Sequence, residues 1–146
     1  IVESALLKPS KWMAKWIKPM LAMSYGLIKQ VWFAKLQHRY LRIKDELFDV
    51  YYRDTCMITK ENMITFMRAN MLYDSKPSIV NTKANVYIVV GDKEPLMMKQ
   101  SAEKLYNQLE NGVFITKKGL YHGEFSLNYA KEYCKLIDNF QEGGLL

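Results

Sequence analysis

Val86-Tyr-Ile-Val-Val90 is a short, continuous apolar run, rich in β-branched residues, that stops at Gly91 and is followed by Asp92-Lys-Glu94-Pro95. A strand with one wet face alternates polar and apolar residues. Five apolar residues in a row instead call for cover on both faces, the habit of a strand inside a parallel sheet. Downstream, helical periodicity runs from about Leu96 to Leu109 and closes at Asn111-Gly112. Val113-Phe-Ile-Thr116 then reads as a second strand and Ser126 to Phe140 as a final amphipathic helix. Strand, helix, strand, loop, helix predicts α/β construction with parallel strands and right-handed crossovers.

Upstream of this half the rhythm changes. Asp74-Ser-Lys-Pro-Ser78 reads as a linker, and residues 10–73 carry apolar residues at helical spacing in about four short stretches rich in Met and Trp. Ser10 and Thr59 are placed to cap two of these helices. Pro19 is expected to kink or end the first near Lys18. On that helix Lys11, Lys15 and Lys18 share a stripe, so they are expected in solvent with the Trp12 and Trp16 side packed inward. Ile1 to Leu7 reads as the end of a strand entering a turn at Lys8-Pro9. The boundaries that result are 1–9, 10–73 and 74–146, within a length of 146 residues that suits one ordinary domain.

A hydrophobic content of 49% and a charged content of 25% exclude a disordered chain. No run of about 18 uncharged apolar residues offers a transmembrane span, and lysines interrupt the apolar N-terminal stretch as no secretory signal would allow. Cys56 and Cys134 lack metal-ligand spacing and suit buried thiols in a reducing, cytoplasmic compartment. The charge is lopsided: residues 1–44 hold nine Lys or Arg against Glu3 alone, a balance of +8 within a net charge of +6. Such a segment could meet anionic lipid, an acidic partner or nucleic acid, or form a solvated face. Nucleic acid ranks last because no reading motif accompanies the charge.

In open parallel sheets, functional groups gather in the loops that leave the carboxyl ends of strands. Two such loops carry chemistry here: Gly91-Asp92-Lys93-Glu94-Pro95, and Gly119-Leu120-Tyr121-His122-Gly123-Glu124. An acid followed by a histidine on consecutive strand exits is the second and third part of a nucleophile, acid and base relay. The histidine takes a hydroxyl proton, and the carboxylate fixes the tautomer and stabilises the imidazolium. Two plainer readings stand beside this one. Glu94 could simply favour a helix N-terminus, and His122 could be a turn residue bonded to backbone. His38 reads as a surface or packing residue.

Apolar strand, Gly-x-x-acid-Pro, helix, strand and Tyr-His-Gly before a last helix resembles the C-terminal part of the α/β-hydrolase fold, over about residues 84–140. The resemblance implies the C-terminal portion of an α/β-hydrolase sheet with a helical cap. In it, Ile1–Leu7 is a strand exit, residues 10–73 the cap, Glu94 the catalytic acid and His122 the base. Members usually carry Asp at the acid position, where Glu is an accepted variant, and Asp92 is the runner-up. It further implies a serine hydrolase, esterase or lipase-like, taking a small-molecule ester and needing neither cofactor nor metal, while Trp12, Trp16, Trp32 and the methionines of residues 10–73 imply an apolar acyl or aryl group.

No Gly-x-Ser-x-Gly elbow occurs in the chain. The nearest approach is Ala22-Met-Ser24-Tyr-Gly26, preceded by amphipathic helix instead of a buried strand. The expectation is therefore that nucleophile, oxyanion loop and first strands lie upstream of Ile1, with Ser24 the alternative nucleophile. Val86–Val90 would then have too few neighbours, and association with a second copy or a complementary fragment is expected. The rival function is a non-catalytic interaction module whose cationic helices bind an anionic membrane face or a partner.

Overall fold

The computed structural model describes residues 1–7 and 9–141, the side chains of Phe140 and Gln141 excepted. Lys8, part of the expected turn, and residues 142–146 of the C-terminal segment lie outside the described residues. The chain divides into two compact units, one made of residues 1–7 with those from Ser75 onward, the other of the stretch between them.

The first unit is a parallel three-stranded sheet in the order β1 (Val2–Glu3), β2 (Val86–Gly91), β3 (Gly112–Lys117). Val2 registers with Ile88, and Val86 with Gly112. The alternating side chains of β2 divide between two cores, as a doubly covered strand requires. Ile88 and Val90 meet Leu7, Ala102 and Leu105 on one face, where α5 (Leu96–Tyr106) lies. Tyr87 and Val89 meet Phe125 and Leu136 on the other, from α6 (Glu124–Asn128) and α7 (Ala130–Gln141). The single expected last helix is thus two, interrupted at Tyr129, whose backbone leaves the helical region.

β2 is central, paired on both edges and buried from Tyr87 to Gly91. The open edges of the described sheet belong to β1 and β3.

The second unit is helical. α1 (Lys11–Ser24) is capped by Ser10, whose Oγ accepts from the Met13 amide at 3.3 Å; Tyr25–Lys29 forms a 3-10 turn, and α2 (Val31–Tyr40) follows. A second 3-10 turn, Asp45–Leu47, leads into α3 (Phe48–Met57). α4 (Lys60–Leu72) is capped by Thr59, which accepts from the Asn62 amide. The Ser10 amide donates to the Met71 carbonyl, setting the start of α1 beside the end of α4.

One expectation fails here, and of the kink or stop expected at Pro19 the stop is absent. α1 continues through Pro19 to Ser24. Proline removes one backbone donor from the ladder, which neighbouring turns outweigh. The tryptophans are also outside. Ala14 and Ile17 form the buried stripe, while Trp12 is 70% and Trp16 51% exposed. α1 packs chiefly on α4, and small Ala14 permits close approach where an indole would hold the helices apart.

His38 is buried, with Nε2 at 3.1 Å from the Lys44 carbonyl oxygen and its ring edge-on to Phe48, so it is a packing residue. No described helix is long and apolar enough to cross a membrane.

Candidate active site

The loops leaving β2 and β3 meet. Gly91 ends β2 where the Leu120 carbonyl crosses it, and any Cβ there would collide with that carbonyl. The glycine lets the Lys93 amide donate to Leu120 O at 3.0 Å, which ties the acid loop to the histidine loop. Gly123 takes a left-handed φ of 68°, turning the chain from His122 into α6.

Glu94 lies beneath His122. Its carboxylate Oε2 is 3.3 Å from His122 Nδ1, a long hydrogen bond. Oε1 accepts from the Gly91 amide and from Ser4 Oγ, each at 2.8 Å. The Glu94 side chain is 1% exposed and that of His122 55%. The carboxylate is thus sealed beneath a ring whose far side reaches solvent. Because a carboxylate only accepts, Nδ1 carries the proton and donates, leaving Nε2 to accept.

The charges support each other. Burial pushes the Glu94 carboxyl up, but hydrogen bonds from His122, Gly91 and Ser4, together with the imidazolium charge, more than offset it and hold the group below its ordinary value. His122 is raised, first by the hydrogen bond to Glu94, with the charges of Glu94 and Glu3 adding and burial opposing. A depressed carboxyl contributes stability above the ordinary carboxylate range and loses it as pH falls through its lowered value. A raised histidine contributes below its ordinary value of 6.5 and loses the contribution as pH rises through its raised one. The pair is therefore tightest in the acidic to neutral window between them.

Asp92, the runner-up, does different work. Its Oδ1 accepts from the Gly119 amide at 2.6 Å and so pins the turn after β3. Glu94 does not cap α5 by hydrogen bond, since its side chain accepts from Gly91 and not from the amides that open the helix. Ser24 ends a helix in α-helical backbone, with Oγ donating to Met20 O at 2.9 Å, far from the strained strand-to-helix turn a nucleophile elbow needs.

Sequence reasoning missed two residues at the exit of β1. Ser4, in left-handed backbone at φ 53°, donates to Glu94 and accepts from the Gly123 amide at 3.1 Å, bridging the acid to the turn that bears the histidine. Glu3 accepts from the Phe125 and Ser126 amides at 3.1 and 3.2 Å, closing the start of α6. Glu3 is the one acid in a stretch otherwise entirely basic, a signal that could have singled it out. Nothing comparable marked Ser4.

A parallel three-stranded sheet covered by helices on both faces is a mixed α/β arrangement. A solved structure shares it: MGS-M2, an alpha/beta hydrolase enzyme from a Medee basin deep-sea metagenome library, superposes with a TM-score of 0.65 over 99% of this chain at 15% identity. The chain spans 56% of the length of that protein. No family model matches the chain, and no curated protein does.

Proposed function

We propose that this chain carries the acid and base of a serine hydrolase, esterase or lipase-like, with Glu94 as acid and His122 as base. One observation carries the reading: a buried carboxylate, held by the Gly91 amide and Ser4 Oγ, faces Nδ1 of a histidine whose other side is open. Nε2 would take the proton of a serine hydroxyl as it attacks an ester carbonyl, and return it to the leaving alcohol. Nε2 would then activate water to release the acid from the acyl-enzyme. Glu94 keeps Nδ1 protonated throughout and balances the transient imidazolium. The nucleophile in this reading is a serine from polypeptide beyond these 146 residues, because no Gly-x-Ser-x-Gly elbow occurs among them and Ser24 sits at a helix end. A docking role for the cationic helices does not compete, since it uses the other unit.

The test is p-nitrophenyl butyrate hydrolysis. The 146 residues alone should leave the ester at its background rate, and the coding sequence upstream of Ile1 should supply Gly-x-Ser-x-Gly behind an apolar strand. Turnover by the 146 residues that disappears in Ser24→Ala would make Ser24 the nucleophile and contradict this assignment.

A further inference from the structure

Two helices of the second unit repeat one surface pattern. On α1, Trp12, Trp16, Met20 and Met23 follow one another at i, i+4, i+8 and i+11, a single exposed stripe in which Met23 is 91% accessible. Lys11, Lys15 and Lys18 form the adjoining exposed stripe. On α2, Trp32, Leu36 and Tyr40 line up the same way, with Trp32 62% exposed, beside Lys35 and Arg39. Residues 4–44 contain no acid at all.

We infer that these faces dock on an anionic membrane surface, with the indoles and methionines entering the headgroup boundary and the cations lying against lipid phosphates. The argument for lipid is the pairing of the two stripes. Tryptophan has an apolar body and a polar N–H suited to the interface, and lysine stems bury along apolar surface while their ammonium groups reach phosphate. A nucleic acid would engage the cations and leave Met20 and Met23 in water. An interface with a second copy would set two strongly basic surfaces together. Nothing in the inference depends on the hydrolase reading, because the acid and base lie in the other unit.

Every tryptophan of the chain lies on α1 or α2, so its fluorescence reports on these faces alone. The 146-residue chain is mixed with phosphatidylcholine vesicles, with and without phosphatidylglycerol, and followed by tryptophan emission and vesicle co-sedimentation. Binding and a blue shift are expected with the anionic vesicles and should vanish at high salt. Lys11→Gln/Lys15→Gln/Lys18→Gln should weaken partitioning by about a hundredfold, at roughly fivefold per cation. Trp12→Ala/Trp16→Ala should also weaken it, whereas Lys118→Gln/Lys131→Gln on the other unit should not. Binding indifferent to lipid charge, binding untouched by the tryptophan changes, or emission already blue-shifted without lipid would each overturn the inference. So would a blue shift produced by soluble DNA and not by vesicles.

Discussion

Glu94→Gln should lower kcat for ester hydrolysis by about four orders of magnitude in the polypeptide that carries both the serine and these 146 residues, the scale on which a relay fails when its histidine adopts the wrong tautomer. The local hydrogen bonds force that outcome. The Gly91 amide is an obligate donor facing Oε1, so the oxygen of a glutamine must stay there. Its NH2 is left facing Nδ1, which must then accept, and the ring proton moves to Nε2, where a base needs a lone pair. The fold should survive, because the shape and the Gly91 bond are kept. A kcat loss under tenfold, with the circular dichroism spectrum unchanged, would remove Glu94 from the relay.

Phe125→Ala should cost about 3–5 kcal/mol of folding stability, the range for a large aromatic truncated in a core. Phe125 is among the largest fully buried side chains, packed with Tyr87, Val89 and Leu136 on one face of the sheet. Its ring also lies 4.1 Å below the Lys117 ammonium. Domains have only about 5–15 kcal/mol in total, so one substitution removes a large share. The damage should reach the site, since the Phe125 amide is bonded to Glu3 three residues after His122. Urea denaturation provides the check, with Phe125→Leu expected to retain most of the stability. A loss below about 1 kcal/mol, the mean for an arbitrary substitution, would show that this face carries little of the core.

The sheet was legible because Val86–Val90 has one physical solution, cover on both faces, and β2 sends alternate residues to two cores. Glu94 and His122 were legible as a pair because parallel strands deliver their exits to one end of a sheet. What escaped depended on partners distant in sequence. Ser4 is 90 residues from the carboxylate it holds, and no local pattern marks a serine in left-handed backbone at the end of a two-residue strand. The side of α1 was misjudged for a related reason: periodicity identifies an apolar sector but not which part of it packs. Ala14 and Ile17 took that role, and of the two the small Ala14 lets a neighbouring helix come close. Pro19 does not end α1 because its penalty is local, whereas the packing that holds α1 together is shared along its length.

The central claim, that Glu94 and His122 form one acid–base unit, is tested most directly by NMR titration of the His122 ring. The chain has two histidines, His38 and His122, so a His122→Gln spectrum assigns the signal. The midpoint should lie above 6.5 in the unmodified protein. In Glu94→Gln it should fall below 6.5, because burial then outweighs the smaller raising effect of the Glu3 charge. A midpoint at or below 6.5 that does not move in Glu94→Gln would show that the two residues are merely neighbours.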